Sequence, residues 1–189
     1  MEELEWIKKM QQGDDTAFFI IYEKYKNAAL RTAYLITGNR YTGEDILQET
    51  FVQCCLHIKE LKDPATFKAW FYRILTRTAW KFAKKEKSAV PVENLFETID
   101  ESVEEDSEKT FLQKEERRKL LEAINQLDLK QRITVILYYY NEMSVSEIAK
   151  ATGSLEGTVK SRLFFARKKL YQKLKADAFF KGRVCEKNG

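Results

Sequence analysis

Between Ser88 and Glu108 the chain has no lysine or arginine but eight carboxylates, Glu93, Glu97, Asp100, Glu101, Glu104, Glu105, Asp106 and Glu108. Such uncompensated charge cannot build a core, so the run predicts a flexible acidic linker, and whatever folds must fold on either side of it. In a chain of 189 residues neither side has room for a large catalytic domain, but each can enclose a small core. With only two prolines and seven glycines, and little strand-like alternation, both sides read as all-α. The expected plan is a helical domain over 1–87, the acidic linker over 88–113, a second helical domain over 114–177 and a tail over 178–189.

Helical punctuation supports this plan. Phe18, Ile21, Tyr22, Tyr25 and Ala29 recur at helical spacing behind Asp14, Asp15 and Thr16, predicting a helix from Asp14 to about Ile36. Gly38 and Asn39 stop it, and Thr42 with Asp45 resembles a capping box for a second helix reaching about Leu61. Asp63-Pro64 breaks the chain before a third helix from about Thr66 to Lys87. Beyond the acidic run, 114–126, 130–140, 145–152 and 155–175 read as four more.

Composition narrows the chemistry. The N-terminus MEELEWIKKM is charged throughout, unlike a signal peptide, and no apolar run is long enough to span a membrane, so a cytoplasmic location is expected. Cys54 and Cys55 are adjacent and Cys185 is distant, a pattern for reduced thiols rather than a disulfide framework. His57 is the only histidine, which leaves no ligand set for zinc. The sequence offers neither a carboxylate-metal cluster, nor a Cys/His dyad, nor a phosphate-cradling glycine loop. No enzyme activity, cofactor, metal or small-molecule substrate is expected.

Three surfaces stand out. On the second helix, Leu47, Phe51, Cys54, Ile58 and Leu61 share one face, while Asp45, Gln48, Glu49 and Val52 share the other, which by periodicity alone could be an ordinary solvated face. On the third, Phe71, Ile74, Leu75, Thr78 and Phe82 oppose Trp70, Arg73, Arg77, Trp80, Lys81 and Lys84. Cations interleaved with flat rings suit melted nucleic acid; the alternative is that the tryptophans are half-buried packing residues. In the C-terminal half, Ile148, Ala149, Gly153, Thr158 and Val159 occupy the spacings of a helix-turn-helix. Its second helix would pack Val159, Leu163, Ala166, Leu170 and Leu174 inward and turn Ser161, Phe164, Phe165 and Lys168 outward.

Three strings resemble one family. GEDILQETF is similar to region 2.2 of bacterial sigma factors, DPATFKAWFYRI to their regions 2.3 and 2.4, and GTVKSRLFFARKKL to the region 4.2 recognition helix. Region 2 would cover about 10–87 and region 4 about 114–175, with no space for a third domain, as in the extracytoplasmic-function group of the sigma-70 family. The resemblance implies that Asp45, Gln48 and Glu49 grip the coiled coil of the largest subunit of RNA polymerase core, and that Trp70, Arg73, Arg77, Trp80, Lys81 and Lys84 open and read the −10 promoter element. It assigns Thr158, Lys160, Ser161, Arg162, Phe164, Phe165, Arg167 and Lys168 to −35 DNA. It further implies contact with the polymerase flap, a linker threading the polymerase cleft, a specialised stress regulon, and an inhibitory anti-sigma factor, in this family often membrane-anchored.

Some positions depart from the family. Arg77 replaces a common asparagine, and Lys81 and Lys84 stand where aspartate and arginine are frequent, which alters the expected base readout, because arginine prefers guanine or phosphate. Phe165 replaces a frequent arginine; with Phe164 it suits either a thymine methyl or an inhibitory protein partner. Asp128 replaces a proline at the entry to region 4 and should cap the helix that follows. The rival expectation is a stand-alone helix-turn-helix regulator, which would bind duplex DNA without core polymerase.

Overall fold

The computed structural model describes residues 2–85 and 107–177; most of the expected linker, and the whole of the expected tail with Cys185, lie outside the described residues. The described chain forms α1 (Glu3–Gln11), α2 (Asp15–Thr37), α3 (Arg40–His57), α4 (Phe67–Lys85), α5 (Ser107–Asn125), α6 (Leu129–Tyr139), α7 (Val145–Thr152) and α8 (Glu156–Ala176). Short 3-10 turns at Ile58–Glu60 and Pro64–Thr66 join α3 to α4. Among the described residues the fold is all-α, as expected.

Local chemistry sets most boundaries. The Asp14 carboxylate accepts the Ala17 N–H at 3.0 Å and starts α2. Gly38 ends it at φ +74°, donating to the Tyr34 carbonyl. That left-handed reversal leaves Asn39 extended, and its side chain, not Thr42, caps α3 by accepting the Thr42 N–H at 3.2 Å. The expected Thr42–Asp45 capping box is therefore absent, because Thr42 already lies within the first turn and is buried. Asp128 caps α6 as expected, accepting the Gln131 N–H at 3.0 Å. α5 begins at Ser107, within the stretch assigned to the linker: Glu108–Gln113 contains good helix formers that the charge criterion had discounted.

The sequence reading places no helix at the N-terminus, yet α1 forms and buries Ile7 and Met10. Leu4, Ile7 and Met10 recur at helical spacing beside Trp6, but a nine-residue segment is too short for that signal to establish a helix alone. Tertiary contacts complete it: Gln11 Nε2 donates to the carbonyls of Ile58 and Leu61, tying α1 to the turn that follows α3.

Around α4 lies an aromatic core. Phe71, fully buried, sits with its ring centroid 5.1 Å from Tyr25, 5.2 Å from Phe51, 5.9 Å from Phe67 and 5.6 Å from Tyr72. One side of α4 packs on α2 and α3, and another on α7, so the two helical halves are docked together.

At the centre of this junction is Asn141, held between α6 and α7 by a turn in which Glu142 adopts φ +52°. Its Nδ2 donates to Thr32 Oγ1 at 2.9 Å and to the Tyr72 hydroxyl at 2.8 Å, and its backbone carbonyl accepts from Lys68 Nζ at 3.0 Å. Burial pushes the Tyr72 hydroxyl up to about 12, further from ionisation than an exposed tyrosine. Thr76 Oγ1 donates to the Ala151 carbonyl, and Arg132 to the carbonyls of Ile36, Leu127 and Asn125. Burial works against the Arg132 charge, but the guanidinium lies where α2 and α5 end, near the negative poles of both helices.

α7 opens on a reciprocal cap. Glu147 N–H donates to Ser144 Oγ at 3.2 Å, and Ser144 N–H to Glu147 Oε2 at 2.8 Å. Ser144→Ala is expected to cost about 1 kcal/mol in urea unfolding, the typical worth of such a cap; an unchanged midpoint would mean that the cap contributes nothing.

Candidate nucleic-acid interface

The surface of α3 presents Asp45, Gln48 and Glu49 to solvent, on the side opposite buried Ile46, Thr50, Phe51 and Cys54. Beside Gln48 an apolar groove runs between α2 and α3, lined by Phe18, Phe19, Tyr22, Leu47, Val52 and Leu56, with Phe19, Val52 and Leu56 well exposed. The sequence reading singled out the polar residues and missed this groove. The Phe18-Phe19 pair was its signal, since consecutive large apolar residues cannot both face the core of one helix.

Along α4, Arg73, Arg77, Lys81 and Lys84 are exposed, as expected. The two tryptophans differ. Trp70 is half-buried, with its ring 5.9 Å from that of Phe67, so it also serves in packing. Trp80 is 36% exposed, and Lys84 Nζ lies 4.1 Å from its ring centroid, a cation–π contact that holds charge and ring on one patch.

Gly153, at φ +62°, closes α7 and sets the sharp turn into α8, where the N–H of Ser154 bonds to the Ala149 carbonyl. Val159, Leu163 and Ala166 are buried, while Leu170 and Leu174 are half-buried, so the expected inward stripe is present. Thr158, Lys160, Ser161, Phe164, Phe165, Arg167 and Lys168 are exposed. Arg162 is half-buried and donates to Ser154 Oγ at 2.9 Å, which fixes it against the turn. Ser161 Oγ donates to its own helix at the Gly157 carbonyl. Phe164 and Phe165, 60% and 54% exposed, meet edge to face and form a compact apolar patch on a basic helix.

The docked halves bring the two cationic surfaces together. Arg77, Trp80 and Lys81 of α4 face Arg162 of α8 across a cleft that also takes in Lys130 of α6, a residue in none of the expected sets. Among the described residues no group of three or more His, Cys, Asp or Glu side chains is placed to hold a metal, and no helix is long and apolar enough to cross a membrane.

Comparison with known proteins places the chain in a family. Residues 21–89 match the family model of Sigma-70 region 2, and residues 117–170 that of Sigma-70, region 4. The chain is 32% identical over 145 residues to the RNA polymerase sigma factor SigV of Bacillus subtilis, covering 76% of this chain and 82% of that protein. It is 28% identical over 179 residues to the ECF RNA polymerase sigma factor SigW of the same organism, covering 89% and 95%. The fold is similar to that of CnrH, solved in complex with the cytosolic domain of CnrY, with a TM-score of 0.72 at 21% identity over 93% of this chain and 99% of that one. The chain thus belongs to the sigma-70 family, in its extracytoplasmic-function group, and is an RNA polymerase sigma factor acting in transcription initiation.

Proposed function

We propose that this sigma factor docks on RNA polymerase core through Asp45, Gln48 and Glu49 together with the apolar groove beside them, which would take the coiled coil of the largest subunit. The pairing of exposed Phe19, Val52 and Leu56 with a polar acidic rim supports this, because an apolar centre with a charged edge is how helix-binding surfaces combine affinity and register. Trp70, Arg73, Arg77, Trp80, Lys81 and Lys84 capture the melted −10 strand. Thr158, Lys160, Ser161, Arg162, Phe164, Phe165, Arg167 and Lys168 hold −35 DNA, with the flap of the polymerase against region 4. Region 2 is assigned to 1–87, an acidic linker to 88–113 and region 4 to 114–177. The chain acts in the cytoplasm, performs no reaction of its own, and is restrained by an anti-sigma factor, anchored in the membrane or free, much as CnrH is found with CnrY.

The observation that carries this reading is the single basic, aromatic surface on α4 in the same chain as a helix-turn-helix whose exposed face is basic. The test is transcription with sigma-free core polymerase on genomic DNA of the host, with transcript starts sequenced. Discrete starts sharing −10 and −35 elements are expected, and Asp45→Arg is expected to weaken core binding at least about tenfold, since a reversed charge in an interface costs several kcal/mol. Starts that do not depend on the protein would point instead to a stand-alone regulator.

A further inference from the structure

We infer that the cleft between α4 and the helix-turn-helix is a binding site for a compact phosphate chain, as carried by a nucleoside triphosphate or an inorganic polyphosphate, and that the bound phosphates hold the two domains closed. The cavity encloses about 470 Å³, within the range of small-ligand sites. Arg77, Lys81, Lys130 and Arg162 line it, Trp80 and Ser154 add an aromatic wall and a hydroxyl, and no carboxylate lines it.

Three helices supply the cations. Four like charges converging on one cavity repel one another, and an isolated closed form must bear that repulsion. Closure is enforced by the Asn141 hydrogen bonds, away from the cleft, and by Thr76 on the Ala151 carbonyl at the cleft wall. A multiply charged anion is the ligand that relieves the repulsion while touching both domains, and arginine and lysine donors match phosphate oxygens. Phosphate binding and domain closure are then linked, so each strengthens the other. The cleft uses Arg77, Trp80, Lys81 and Arg162, all assigned above to promoter contacts; the bound phosphate chain and promoter DNA therefore exclude one another. Lys130 belongs to the cleft alone.

The test is titration calorimetry on the full chain at physiological salt, with tripolyphosphate and with ATP as separate probes. Saturable binding of one tripolyphosphate per chain is expected, with slower hydrogen exchange where α4 meets α7. Equal affinity for both probes would show that the phosphates alone are read; tighter binding of ATP would show that Trp80 and its surroundings also take the base. Lys130→Gln is expected to weaken binding about tenfold, the effect of losing one charge-assisted bond, while leaving promoter-dependent transcription intact. Asn141→Ala, remote from the cleft, should weaken binding as well because closure is coupled to it. Lys173→Gln, on the far part of α8, should change affinity less than twofold. Failure of both probes to bind at millimolar concentration, or equal loss in Lys130→Gln and Lys173→Gln, would overturn the proposal, the latter by revealing diffuse attraction to a basic helix.

Discussion

Phe71→Ala lowers the unfolding free energy by about 3–5 kcal/mol in urea denaturation, the range for truncating a fully buried phenylalanine. Phe71 has no exposed surface, and four aromatic rings lie within 6 Å of its own, so little can move in to fill the space. Domains of this size are stable by about 5–15 kcal/mol, and the loss is a large fraction of that. The same helix carries Arg73, Arg77 and Lys81 on its opposite side, so loosening its anchor disorders the basic face without touching a cation. Phe71→Leu keeps much of the volume and should cost less than half as much. A loss below 1 kcal/mol for Phe71→Ala would contradict the packing around α4.

Asn141→Ala removes the two buried side-chain donations that join Thr32, Tyr72 and the α6–α7 turn, leaving the Tyr72 hydroxyl, which burial pushes up to about 12, without Asn141. Two lost hydrogen bonds between buried groups, with the Tyr72 hydroxyl left to Thr32 alone, predict a loss of about 2–4 kcal/mol and a Tm lower by about 5–10 °C. Its location gives the more specific readout. Because Asn141 lies at the docking surface, amide exchange in α7 should quicken while that at the α2–α3 contact changes little. A double-mutant cycle with Tyr72→Phe should return a coupling of about 1 kcal/mol, within the range for contacting buried groups. Unchanged protection of α7 would mean that the domains are held by other contacts.

The α4 face and the inward stripe of α8 were legible because each depends on the spacing of residues along one helix: a period near 3.6 sorts Phe71 and Leu75 from Arg73 and Arg77 whatever packs nearby. Capping was partly legible. Asp14 and Asp128 act where the sequence places them, but the start of α3 passed to Asn39 once Gly38 adopted a left-handed turn, a choice made by backbone geometry. The groove at Phe19 and Leu56 was missed because it takes two helices to make its walls.

By itself the sequence determined the helical class, the division into two helical modules on either side of an acidic run, and the family, since composition, periodicity and short motifs are properties of contiguous residues. Only the tertiary structure decided that α1 folds, that Asn141 is buried against Thr32 and Tyr72, residues separated from it by 109 and 69 positions, and that Lys130 joins Arg77 and Arg162 around one cleft. The physical reason is the same in each case. A polar group is buried, or a charge is brought beside its like, only when a partner from elsewhere in the chain makes the placement favourable, and no local pattern records that partner.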